Sequence, residues 1–172
     1  MSSRSVLTSL FAYKASAGSD LLDALAMAQE MIPPDNFHRA LRILNHAHIV
    51  DRIFLAHLQG QPHGFTASWQ SDAPAVAELA KATREVDQHY LAHLTTLDDE
   101  ALDKDVDFTF TDGQAGRMTR AEMLLHVATH SGYHRGEAAS HVPEVEAASM
   151  RDVFAGYLHR VEPGRRDRRT MS

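Results

Sequence analysis

The sequence contains no cysteine. That excludes structural disulfides, thiolate metal ligands and a cysteine nucleophile, and it is compatible with a reducing compartment. Long apolar runs are missing too. The N-terminal stretch MSSRSVLTSLFAYKASAGSD is too short and too interrupted for a signal h-region or a membrane span, so a cytoplasmic chain with no membrane partner is expected. There is no excess of positive charge either: the formal net charge is −6, which argues against a nucleic-acid partner. The one basic cluster, RRDRR at 165–169, has no interleaved aromatics and no apolar periodicity. Residues 161–172 are therefore expected to be a solvated, disordered tail.

What the chain does have is length, helical periodicity and histidine. Its 172 residues, 44% hydrophobic and 23% charged, suit one soluble domain with a substantial core, expected over residues 1–160. Leu7, Leu10, Phe11, Leu21, Leu22, Leu25 and Met27 recur at helical spacing, which predicts a first helix over about 6–31 closed by Pro33 and Pro34. A second helix is expected from Asp35 to Gly60, with one buried face made by Leu41, Leu44, His48, Leu55 and Leu58. Residues 60–72, with the lone Trp69, read as a loop. The stretch SDAP then offers an N-cap and an N1 proline for a third helix over about 73–97.

An acidic connection, LDDEALDKD, follows. The alternation in VDFTFTDGQAGRMT predicts a short hairpin turning near Asp112 and Gly113. Thr119 and Glu122 form a capping box for a fourth helix ending before Pro143, and Ser149 with Asp152 repeats that pattern before a short last helix. The fold expected is all-α: a four-helix up-down bundle with a long third-to-fourth connection and a short C-terminal helix.

Twelve histidines raise the question of function. Four of them, His126, His130, His134 and His141, stand in the single stretch HVATHSGYHRGEAASH. At about 100° per residue His126, His130 and His134 share one sector of the fourth helix, and His141 falls in it as well. Side chains at i and i+4 can converge on one ion, which makes HxxxH a recurrent metal pair. Three in a row cannot. His126 and His134 are about 12 Å apart along the axis, whereas metal–nitrogen bonds are only about 2.0–2.1 Å. Either the 126/130 pair or the 130/134 pair can bind. The stretch NHAH on the second helix offers His46 and His48 as a third imidazole, because ligands in a bundle project inward from facing helices.

These stretches carry a resemblance. LNHAHIVDRIFLAHL followed by HVATHSGYHRGEAA resembles, in order and separation, the DinB/YfiT-like family of four-helix metal-dependent proteins, over about residues 5–160. The resemblance implies that His46, His130 and His134 hold a divalent metal ion: zinc, nickel or iron. It also makes His126 a neighbour of the site. His48 departs from the family pattern, where that position is usually apolar or aromatic. Glu137 replaces the more usual glutamine, and Phe54 a frequent tryptophan. Branches of the family act as S-transferases and isomerases on low-molecular-weight thiols, so the resemblance implies a small-molecule substrate and a homodimer. The activity it implies is that of a metal-dependent hydrolase or thiol transferase; the alternative is a non-catalytic metal-binding or stress-response dimerisation protein.

Around the site, Asp51 and Arg52 read as an intra-bundle salt bridge or helix-face pair rather than as catalysts. Arg135 fits either an anionic substrate group or an acidic partner on a neighbouring helix. Tyr133 is expected to be a buried tyrosine with its hydroxyl satisfied. Gly132 and Gly136 point to close approach of another helix, within the bundle or across a dimer. His38, His57, His63, His89, His93 and His159 share no spacing with the cluster and read as surface or interfacial residues.

Overall fold

The computed structural model describes residues 2–143, 145 and 153–165. Three long helices come first: α1 (Ser3–Ala28), α2 (Pro34–Leu58) and α3 (Val76–Thr95). A single-turn helix α4 (Asp99–Leu102) and the hairpin of β1 (Asp105–Thr109) with β2 (Ala115–Thr119) lead into α5 (Arg120–Ser140). Helix α6 (Phe154–Val161) and a 3-10 turn (Pro163–Arg165) follow. The proposed Ser149–Asp152 cap and the tail beyond Arg165 lie outside the described residues.

Local chemistry explains most boundaries. Ser2 starts α1 by accepting a hydrogen bond from the Ser5 backbone at 3.2 Å, three residues before the expected start. Pro34 opens α2, and Gly60, at φ +63°, stops it in the left-handed conformation that glycine tolerates. Helix α3 starts later than expected, at Val76, and Ala75 caps it without a side-chain bond. The proline is responsible: Pro74 keeps Ala73 out of helical geometry. The Asp72 carbonyl is drawn instead to Asn45, at 3.5 Å. The hairpin pairs Phe108 with Gly116. A Cβ on Gly116 would fall 2.6 Å from the Phe108 ring and 2.9 Å from Phe110, so only glycine fits there. At α5 the capping box is complete: Glu122 accepts from the Thr119 backbone at 2.7 Å, and Thr119 from the Glu122 backbone at 3.2 Å.

Contacts between helices fix their directions. Arg4 meets Leu97 and Asp99 while Arg84 meets Asp23, so α1 and α3 are antiparallel. Phe54 stacks on His126 and His46 lies against His134, so α2 and α5 are antiparallel as well. But His48 meets Thr83 and the Asp51 carbonyl meets Tyr90, which makes α2 and α3 parallel. The bundle of the expected type therefore runs up, down, down, up. Its parallel pair is possible because the loop over 59–75 carries the chain back along α2.

That loop also changes what α2 buries. Between Ala40 and Leu55 the helix is buried nearly all round, not on one face, since Gln70 receives Arg42 and Asn45 from it. The apolar core forms two clusters. One, at the hairpin end, gathers Phe11, Ile53, Tyr90, Leu94 and Val127; the other gathers Leu21, Leu25, Leu41, Leu79 and Val142. Each such side chain, fully buried, stabilises the fold by roughly 1.5–3 kcal/mol. Polar side chains separate the two clusters, and the site is built beside them. No helix among the described residues is long and apolar enough to cross a membrane.

Candidate metal centre

His46 comes from the buried middle of α2, and His130 and His134 from successive turns of α5. Each offers a ring nitrogen, and the three nitrogens lie within 4.8 Å of one another. Ring centroids are 4.4 Å apart for His130 and His134, 4.7 Å for His46 and His134, and 5.1 Å for His46 and His130.

Two of the rings are held by their outer nitrogens. His46 Nδ1 stands 3.0 Å from the Ser68 carbonyl. A carbonyl only accepts, so Nδ1 carries the proton and Nε2 keeps its lone pair. His134 Nδ1 stands 2.7 Å from the Glu137 carboxylate, which fixes that ring in the same way. His130 is different. Its Nδ1 is buried and has no partner among the described residues, the state that a bound cation would relieve.

The protonation states suit a metal. Burial, with the neighbouring His134, His46 and His126 adding to it, pushes His130 down to about 3. Burial also lowers His46. Both rings are neutral near pH 7, the form that binds metal. Two nitrogens bound to one ion at 2.0–2.1 Å stand at most about 4.2 Å apart, so small side-chain rotations suffice to close the group. The donor set fits a divalent ion that accepts imidazole.

Of the pairs 126/130 and 130/134, it is 130/134 that groups with His46. His126 stacks on Phe54, with centroids 4.6 Å apart, and stays outside the group. His48 points to Thr83 on α3, because two residues along a helix turn a side chain by about 200°. His141 caps the end of α5. Trp69 lies flat on His46, centroids 4.0 Å apart and planes 4° apart, with about half its surface exposed.

A family model, that of the DinB family, matches residues 1–152. The chain belongs to the DinB family. No match was found among curated proteins or among solved structures. In this DinB chain the matched region contains both helices that supply the histidines.

Several neighbours stand elsewhere than the sequence led one to expect. Asp51 pairs with Lys14 at 2.6 Å and accepts from Ser131 at 2.9 Å, so the salt-bridge reading holds with a different cation. Arg52 lies over the Phe65 ring instead. Tyr133 is exposed, not buried, because it faces away from the bundle beside His134. A Cβ on Gly136 would meet nothing within 4 Å, and one on Gly132 only an Arg135 nitrogen at 3.7 Å; among the described residues no helix approaches there. His57, His63 and His93 each keep a buried nitrogen without a partner among the described residues, so they are not simple surface residues.

Sequence reasoning missed Ser68, whose contribution is a backbone carbonyl that no motif encodes. It also missed Lys14 and Asp87. Lys14 Nζ stands 2.6 Å from both Asp51 and Asp87, and burial opposes its charge while the two carboxylates outweigh burial and raise its pKa. A signal was there: Leu7, Phe11, Lys14, Leu21 and Leu25 continue one buried seam of α1.

Proposed function

We propose that this protein is a metal-dependent enzyme holding a divalent ion on His46, His130 and His134. Zinc, nickel and iron(II) all suit three imidazoles. When bound, such an ion supplies Lewis acidity that lowers the pKa of a water molecule or a thiol, the chemistry of a hydrolase or of a thiol S-transferase. The observation that carries this reading is the convergence of one ring nitrogen from each of His46, His130 and His134 within 4.8 Å, with two of the rings already held through Nδ1.

The chain's own residues prepare that chemistry. Ser68 and Glu137 orient His46 and His134, and Trp69 covers one face of His46 against solvent. Three protein ligands leave coordination positions free, as in catalytic rather than structural zinc sites. The absence of cysteine is consistent with a low-molecular-weight thiol arriving as the small-molecule substrate. The rest of the reading is a cytoplasmic homodimer that binds neither nucleic acid nor membrane. Leu125 and Tyr133, large side chains exposed on α5, support the dimer.

The test is elemental analysis of protein purified without a histidine tag, followed by a screen of the loaded protein for hydrolysis and thiol transfer. One ion that His130→Ala removes, together with turnover lost in the same variant, is the expected outcome. Full retention of metal in His130→Ala would sink the site. An ion lost in that variant without any turnover in the wild type would favour the non-catalytic metal-binding alternative. Sedimentation at micromolar concentration checks the dimer, against a chain mass of 19.1 kDa.

A further inference from the structure

A second pair of imidazoles stands at the far end of α2. His57 lies in its last turn, and His63 on the loop that follows. Their rings are 4.9 Å apart at an interplanar angle of 81°. The three ring pairs of the His46 group span 4.4–5.1 Å and 60–84°, so the new pair has the same spacing and tilt. His57 Nε2 and His63 Nδ1 are both buried, and neither has a hydrogen-bond partner among the described residues. The surroundings are aromatic: Phe108 lies 5.1 Å and Phe54 6.4 Å from His57, and Phe65 lies 6.3 Å from His63. Burial, with His63 beside it, holds His57 below its ordinary pKa, so its lone pair is available near neutral pH.

Two buried nitrogens without partners, on rings this close, are costly unless something satisfies them both. We propose that His57 and His63 form a second metal site, a two-imidazole clip for a divalent transition ion that fastens the start of the 59–75 loop to the end of α2. Zinc, copper(II) and nickel are the ions whose chemistry suits such a donor pair. Water completes the coordination, so this site binds more weakly than three imidazoles do. It is not half of a two-metal centre. His46 and His57 are about 16 Å apart along the helix axis, against the roughly 3.5–4 Å of a shared pair of ions. Its consequence is mechanical: the loop it fastens carries Ser68 and Trp69, which hold and cover His46.

The experiment is a zinc titration of the tag-free, full-length protein against a chromophoric chelator, repeated with copper(II) and read by electron paramagnetic resonance. The wild type is expected to bind two equivalents, the second more weakly. His63→Gln should lose only the weaker equivalent, and His130→Ala only the tighter one. His57→Gln repeats the first test from the helix side, and circular dichroism checks that each variant is folded. If both glutamine variants fail to fold, the wild-type copper spectrum decides: a second species with nitrogen coupling supports the clip, and one without it overturns it. A single equivalent in the wild type, or a second equivalent that survives in both glutamine variants, also overturns it. The latter result would mean ions on exposed histidines, and the former that the two rings merely pack edge to face. Filling the second site should slow chymotryptic cleavage after Phe65 about tenfold, since cleavage tracks opening of the loop; unchanged cleavage with the site filled overturns the clip. Both equivalents kept in His130→Ala, with one of them lost in His63→Gln, would defeat the three-histidine reading and not this one.

Discussion

Helices α2 and α5 each present two polar faces, and the two faces have opposite fates. On one, His46, His130 and His134 converge with no opposing charge among the three and leave a buried nitrogen unpartnered. On the other, Asp51 and Ser131 meet Lys14 and Asp87 from α1 and α3, and two carboxylates share one ammonium. Arg135 is buried in the same layer and feels both carboxylates, so two positive groups face two negative ones. A polar layer whose charges pair with one another fixes how four helices register. A convergent set that does not satisfy itself is where a ligand belongs. The two centres are only a few residues apart in sequence, so residue type does not separate them; partnership does.

The sharpest way to break the comparison is Lys14→Met. It leaves Asp51 and Asp87 facing each other in the core, and truncating one member of a buried charged set costs about 3–5 kcal/mol. Chemical denaturation should show that loss with the metal-free protein, while metal affinity in the variant that still folds stays near the wild-type value. A Lys14→Met protein as stable as the wild type would mean that the layer is solvated rather than buried.

His130→Ala should do the reverse. In the wild type, an ion at one hundred times its dissociation constant stabilises the fold by about 2.7 kcal/mol. That increment, read as a shift of the unfolding midpoint on adding zinc, should vanish in His130→Ala and largely persist in His126→Ala. Loss of the increment in His126→Ala instead would move the pair to 126/130.

Acid should weaken both faces of the metal-free protein. Burial first, then Arg52 and Lys14, pushes His48 down to about 4, whereas in the unfolded chain an imidazole titrates near 6.5. The unfolded state therefore binds the proton first. Stability is fully present above about pH 6.5 and falls as pH drops toward 4. His48 alone accounts for about 2 kcal/mol by pH 4.5 after allowing for partial exposure, and His130, held near 3, acts in the same direction. Denaturant midpoints at pH 7.0 and 4.5 provide the check; equal midpoints would contradict it.

The smallest effect belongs to Glu137→Gln. The carboxylate 2.7 Å from His134 Nδ1 both orients the ring and makes it a better donor. A neutral amide there should weaken metal binding by about tenfold with little change in fold stability. Unaltered affinity would show that the ring is held by packing against Tyr133 and Trp69 alone.

Much of this was legible in advance. The capping box at Thr119, the turn at Gly113 and the prolines before α2 are local signals, and each sits where its chemistry demands. The 130/134 pair was legible as one of two alternatives, because helical spacing is a local property. Helix α3 begins three residues later than SDAP predicts, because Pro74 keeps Ala73 out of helical geometry and the Asp72 carbonyl accepts from Asn45 instead. Lys14 went unnoticed because a lysine within an apolar seam looks like an interruption until its two aspartates, from α2 and α3, are brought to it.

By itself, then, the sequence determined the helices, the hairpin and the histidine inventory, since propensity, capping and the 3.6-residue period act within a few residues of chain. Only the tertiary structure decided which imidazoles meet, which nitrogen is left without a partner, and that α2 and α3 run in parallel. Those outcomes depend on contacts between residues far apart along the chain, such as Ser68 with His46 and Lys14 with Asp87, and they exist only once packing has chosen which faces of the helices oppose one another.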